Sequence, residues 1–218
     1  MADRARQDER VAATREALLS AAERLFAERG VHAVANRQIS EAAGQGNNAA
    51  VSYHFGTKVD LVRAIVRRHA EKIEGLRARL LVDIGDSVDL RDWVACAVRP
   101  TTGHLEALGS PSWYARFIAQ VTADPALYAI ATEEFTVTAP SMRALREGMN
   151  RCLPDLPAEV YEERAAMTRH LITQMAVDRE RALAGDAPAR SRAAWCGVAT
   201  GLIDVIVALW QAPVTHER

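Results

Sequence analysis

Sulfur and lysine are both scarce in this chain of 218 residues. It has three cysteines (Cys96, Cys152 and Cys196), far apart and without a C-x-x-C pair. That spacing excludes a disulfide framework and a cysteine zinc site, and it suits a reducing cytoplasm. Only Lys58 and Lys72 stand among the 27 basic residues; the rest are arginine. The opening "MADRARQDER" is charged throughout, so it lacks the apolar stretch of a signal peptide. No segment alternates with period two, no Asn-Gly pair joins two apolar runs, and no repeat or low-complexity tract is visible. Sheet-based folds are thereby excluded. The chain also lacks G-x-S-x-G, H-E-x-x-H, a glycine-rich phosphate loop after a strand, and any cluster of metal ligands. His104-Leu105-Glu106 has the look of a deaminase fragment, but no Pro-Cys-x-x-Cys follows it. The sequence therefore predicts a protein that is not an enzyme and needs neither cofactor nor metal.

Apolar residues make up 49% of the chain and charged residues 25%, the balance of a globular protein with a substantial core. The net charge of −1 hides a division. Residues 1–70 carry 11 Lys and Arg against 8 Asp and Glu, whereas residues 71–218 carry 16 against 20. A mildly basic N-terminal segment on an acidic body permits an anionic partner at that end.

Periodicity predicts an all-α protein. Leu18, Ala22, Leu25 and Phe26 place one apolar stripe on a helix over 11–29, which Gly30 ends. A short second helix over about 36–43 buries Ile39, Ala42 and Ala43 and stops at Gly44. A third runs from Asn47 or Asn48 to His54. Thr57 is placed as an N-cap with Asp60 three residues on, the start of a long fourth helix whose stripe is Val62, Ile65, Val66, His69, Ile73, Leu76 and Leu80. Further helices of unequal length lie between breakers at Gly85, Gly109-Ser110-Pro111, Asp124-Pro125, Pro154 to Pro157, and Gly185-Asp186 to Pro188.

Two short helices joined by a glycine-bearing turn and braced by a longer one have the proportions of a helix-turn-helix. The second short helix of that motif enters the major groove of double-stranded DNA, so its outer face needs small or polar residues. Asn47, Asn48, Ala49, Ala50 and Ser52 meet that need, with Val51 and Phe55 as inward anchors. Tyr53 and His54 can donate to phosphates, and Lys58 sits at a helix N-terminus, itself favourable to phosphate. The competing reading is a polar helical hairpin capping a core.

The strings "TREALLSAAERLFAERGV", "RQISEAAG" and "YHFGTKVDLVRAI" make residues 10–70 resemble the DNA-binding domain of the TetR family of bacterial repressors. The resemblance implies a three-helix helix-turn-helix head over a helical ligand-binding and dimerisation body, residues 71–218. It further implies a homodimer on a palindromic operator that a small-molecule effector releases. Carried over by position, Arg37, Tyr53, His54 and Lys58 contact the DNA backbone, and Gln45, Asn47, Asn48 and Ala49 face the bases. His54 has a second reading, as a brace at the junction with the fourth helix. Three features depart from the family pattern. The "GQGNN" turn is one residue longer, Ser52 stands where tyrosine is common, and Val34-Ala35 replaces a Thr or Ser cap.

In the body, Ala193–Trp210 is apolar apart from Thr200 and Asp204. It is too short, and its aspartate too central, for a membrane span, so it predicts a dimerisation helix with Trp195, Val198, Leu202, Val205 and Leu209 as its seam. Met- and aromatic-lined faces suit a pliable apolar pocket. Candidates are Trp113 and Phe117, Met142 and Met149, and Met167 with His170 and Gln174 as orienting polar groups. The plainer reading of each stripe is ordinary core, and the plainer function is a DNA-binding regulator with no effector, whose body only dimerises.

Overall fold

The structure, a computed structural model, describes residues 2–185 and 194–214. All the regular structure among them is helical: α1 (Ala2–Arg29), α2 (Asn36–Ala42), α3 (Ala50–Phe55), α4 (Lys58–Ile84), α5 (Leu90–Leu108), α6 (Tyr114–Ala123), α7 (Pro125–Thr138), α8 (Ser141–Cys152), α9 (Ala158–Ala184) and α10 (Ala194–Gln211). The predicted breaker at Asp186–Pro188 and the residue Ala193 lie outside the described residues.

The helices form two compact units. Residues 1–69 and 113–136 make the first, residues 70–112 and 137–218 the second. The division falls inside α4, after His69, and the first unit takes in residues 113–136, with α6 packed on α1.

In the first unit, Leu18, Ala22, Leu25 and Phe26 of α1 are buried, together with Ile39 of α2, Val51 of α3, and Leu61, Val62, Ile65 and Val66 of α4. Period 3.6 on α1 and α4 turns these residues to one side, where their burial removes apolar surface from water. Phe117 of α6 enters the same core, its ring stacked on Phe26 with centroids 6.2 Å apart. Gly30 closes α1 at φ 85°, a conformation open to glycine at little cost. The Asp124-Pro125 breaker is a helix start: Asp124 Oδ1 accepts from the N–H groups of Ala126 (2.9 Å) and Leu127 (3.0 Å), and its Oδ2 pairs with His32 at 2.8 Å. These backbone bonds, seconded by His32, hold the Asp124 carboxyl below its usual range.

A buried polar cluster ties this unit together. Glu23 of α1 accepts from Arg68 and from His69 Nε2, the latter at 2.8 Å, and the His69 ring stacks on Tyr114 of α6 at 3.9 Å. Burial alone would raise the Glu23 carboxyl. The hydrogen bond and charge of His69, with Arg68 beside it, outweigh that and hold it below the ordinary carboxylate range. On the far side of α4, Arg63 and Arg67 grip Glu134 of α7 at 2.9 to 3.0 Å.

In the second unit α5 packs against α10 and α8. Trp93, Val94, Cys96 and Val98 of α5 meet Leu145 and Met149 of α8 and Leu202, Ile203, Ile206 and Trp210 of α10. The residues expected to form a seam on α10 differ in burial. Trp195 and Leu202 are buried in the unit's own core, whereas Val205 is 55% exposed. Arg164 of α9 ends α10 by donating to the carbonyls of Trp210 (2.7 Å) and Ala212 (2.6 Å), satisfying oxygens that a helix end leaves unpaired. Glu74 of α4 performs the opposite office, accepting from Ser141 N (2.8 Å) and Oγ (2.6 Å) at the start of α8. Burial drives the Cys96 thiol up to about 11, which leaves it an inert packing group.

Gly148 is where α8 meets the Trp93 ring: a Cβ at that position would lie 2.2 Å from ring carbons of Trp93. Gly148→Ala therefore forces the indole or the helix to move. Thermal unfolding should show a loss of about 1–3 kcal/mol, the usual cost of overpacking; a variant as stable as the parent would mean that the α5–α8 contact is loosely packed.

Candidate nucleic-acid interface

The interface is built on α2, the turn after it, and α3. Helix α2 starts without a side-chain cap on its N-terminal flank, as Val34-Ala35 leads one to expect. Instead Gln38 turns back, and its Oε1 accepts from Ala35 N at 2.8 Å. Gly44, at φ 68°, lets the chain leave α2, and Gln45 N donates to Ser40 O at 2.9 Å.

The third helix is shorter than the sequence suggests, beginning at Ala50 and not at Asn47 or Asn48. Asn47 is the reason. Its side-chain oxygen accepts from Ala49 N at 2.9 Å while its carbonyl accepts from Ala50 N at 3.0 Å, a local turn that competes with helix and sets where α3 starts. Gln45 also departs from the expected base-facing set: it is half-buried, with Nε2 directed at the Ala43 carbonyl, 3.3 Å away. Asn48 and Ala49 remain exposed.

On α3 itself Ala50 and Val51 are buried, so Ala49, Ser52 and Tyr53 form the outward edge. Tyr53 is 81% exposed, a large side chain that buries almost nothing in the free protein. His54 is half-buried and meets the Tyr53 ring edge-on at 5.0 Å. Its carbonyl accepts from Arg15 Nη1 of α1 at 2.7 Å, and the same guanidinium lies 4.2 Å above the Phe55 ring. Arg15 was not among the expected site residues. The signal for it is its place on the α1 stripe, one turn before Leu18.

The remaining basic candidates are partly engaged. Arg37 is exposed and paired with Glu41 at 2.7 Å. Lys58, half-buried, donates to the Val31 carbonyl at 3.3 Å, so its ammonium also steadies the link between α1 and α2. At the start of α4 the expected capping box is present with aspartate: Thr57 N donates to Asp60 Oδ2 (3.0 Å), and Asp60 N to Thr57 Oγ1 (3.1 Å). The Thr57 hydroxyl bond to Asp60 keeps that carboxyl below its usual range.

The expected effector residues are divided between the two units. Phe117 fills the core of the first unit, and the half-buried Trp113 precedes α6 there. In the second unit Met149 is a core residue, while Met142 and Met167 are 46% and 48% exposed. His170 and Gln174 are exposed too, with Gln174 bonded to Asp178 at 3.0 Å. Phe117 and Met149 thus answer to the plainer reading, because core packing uses the same helical spacing as a pocket wall. Among the described residues no three His, Cys, Asp or Glu side chains are placed to hold a metal ion, and no helix is long and apolar enough to cross a membrane.

Two short helices across a glycine turn, with a polar outer edge and an arginine-braced C-terminus, define a helix-turn-helix DNA-binding head. Residues 18–65 match the family described as bacterial regulatory proteins, tetR family. The match spans 48 of the 218 residues and identifies the head as a tetR-type DNA-binding domain, in support of a TetR-family transcriptional regulator. No curated protein matches the chain. Among solved structures, one described as a TetR-family transcriptional regulator from Mesorhizobium loti MAFF303099 is 14% identical, covers 93% of this chain and 99% of its own, and has a TM-score of 0.50. At that identity the likeness speaks for the fold. A TetR-family regulator from Streptomyces coelicolor A3 is 20% identical over 91% of this chain and 94% of its own, with a TM-score of 0.45.

The exposed edge assigns distinct effects to two substitutions. Tyr53→Ala should weaken binding to all duplexes alike and leave unfolding unchanged, since the ring contacts little in the free protein. Asn48→Ala should relax preference at particular base pairs by about 1–3 kcal/mol each. Binding selections on randomised duplexes separate the two; a sequence preference altered by Tyr53→Ala would reverse the assignment.

Proposed function

We propose that the chain acts as a dimeric repressor that binds a palindromic operator through two α3 helices and leaves it when a small effector binds the body. Support for the dimer comes from α10. Its inner face is buried, whereas Gly197, Thr200, Gly201, Asp204, Val205 and Ala208 are exposed at the three- and four-residue spacing of a single helical stripe. A Cβ at Gly197 or Gly201 would meet nothing within 4 Å, so the stripe is open to a closely approaching helix. Met167 and His170 on the exposed side of α9 suit the same interface better than a ligand pocket. A two-fold pair of heads would place its recognition helices about 34–36 Å apart on successive major grooves.

Gly201→Leu adds bulk to that stripe. Sedimentation at micromolar concentration should change from dimer to monomer, and affinity for a palindromic duplex should fall while each head stays folded. A parent chain that sediments as a monomer would refute the dimer.

Phe117 and Met149 are packed in cores, so an effector would engage the body through other residues. The physical requirement for a response is differential affinity: a ligand that binds both conformations equally shifts nothing. The continuity of α4, with residues in both units, supports coupling. A coupling of about 1–3 kcal/mol would weaken DNA binding roughly 5- to 150-fold. A thermal-shift screen of small apolar and amphipathic compounds, followed by DNA titration with each hit, tests this. Hits that stabilise the protein yet leave DNA affinity unchanged would favour the second reading, a regulator whose body only dimerises.

A further inference from the structure

The family match begins at residue 18, whereas α1 begins at Ala2. The intervening helix turns have no structural purpose in the free protein. Residues 4–13 are all exposed, and nothing among them is buried to hold the helix in place. A polar, unpacked helix of this length is marginal on its own, which raises the question of what it contacts.

Arg4, Arg6 and Arg10 lie in this arm, and among the described residues no ion pair engages any of them. Three residues of opposite charge share the arm: Asp3, Asp8 and Glu9. The arm's position is set by Arg15, among the described residues the first of α1 with a tertiary polar contact, whose guanidinium holds the His54 carbonyl at 2.7 Å and covers Phe55. Helix α1 therefore passes the C-terminal end of α3, beside the exposed Tyr53, and the arm continues outward from there. Arg4 is eleven residues from Arg15, three turns, and so projects from the same side of the helix, about 16 Å further along the axis.

We propose that residues 2–14 form a second DNA-contacting element, which lies along the phosphate backbone flanking the half-site that α3 reads. The inference rests on DNA binding by the head, with which the arm is continuous. Duplex DNA presents one phosphate charge per about 1.7 Å of axis, so a helix arm of this length spans several phosphates, and free arginines are the groups that neutralise them. Asp8 and Glu9 oppose this attraction and moderate it. The unpaired arginines exchange solvent for phosphate only on the duplex, so the arm adds affinity without adding base readout.

The test compares the full chain with Arg4→Ala/Arg6→Ala/Arg10→Ala on a long random-sequence duplex, titrated over a range of salt concentrations. Each lost phosphate contact lowers the slope of log affinity against log salt by about 0.9, so the triple variant should lose up to about 2.7 per chain. Between 50 and 200 mM salt that amounts to a difference of about 40-fold in how steeply affinity falls. Asp8→Asn/Glu9→Gln should tighten binding, a gain that misfolding cannot produce. As a control for net charge, Arg79→Ala/Arg99→Ala/Arg143→Ala removes the same charge from the second unit and should leave the slope in place. Equal slopes for the parent and the arm variant, or an equal change in the control, would overturn the proposal while leaving DNA binding by the head intact. A parent chain with no affinity for the duplex would overturn both.

Discussion

The head depends on a buried carboxylate. Glu23 sits almost out of reach of solvent, where an unpartnered charge would be costly, and it is tolerable there because Arg68 and His69 supply the compensating protons and charge. Three helices meet at the cluster around this side chain. Glu23 fixes where α1 crosses α4, and the stacking of His69 on Tyr114 fixes α6 against both. An apolar residue at 23 could pack equally well but would specify no particular crossing. The buried charge gives the head its register, and it explains why α6, distant in sequence, belongs to the head and not to the body.

Helix α4 organises both units by the same means. Its N-terminus is closed by Thr57 and Asp60, its middle holds Glu134 through Arg63 and Arg67, and its later turns cap α8 through Glu74. Its apolar stripe gives each unit core residues, and its charged residues select the partner of each turn. Ion pairs at the surface add little stability individually. Here the partly buried ones act chiefly as specificity devices, which suits a helix with residues in two compact units.

Local rules made much of this readable from the sequence. The stripe of Leu18, Ala22, Leu25 and Phe26, the stop at Gly30, the Thr57–Asp60 start and the Asp124-Pro125 break each depend on residues within a few positions of one another. What was not readable was set by distant partners. Phe117 has the spacing of a pocket wall and of a core, and only Phe26, 91 residues away, decides between them. Helix α10 is apolar on most faces, so periodicity alone could not say which stripe its own body would take. Asn47 lay between the two cases: its capping turn is a local event, but it competes with helix propensity, and the outcome shortened α3.

That shortening bears on how the protein can be selective. Helix α3 has six residues, two of them buried, and presents Ser52 and Tyr53, with the exposed Asn48 and Ala49 just ahead of it, a small outer surface. It is too short to hold itself and borrows its order from Val51 in the core below and Arg15 at its end. Each good base contact discriminates by about 1–3 kcal/mol, so one such head distinguishes few sequences. Phosphate contacts raise affinity for every sequence equally and leave that ratio unchanged. In the proposed dimer, two heads on one two-fold axis would add their base contacts and demand a fixed spacing as well. The small face of α3 and the open glycine stripe of α10 are thus consistent with each other, because a head with a small outer face gains most from the proposed pairing.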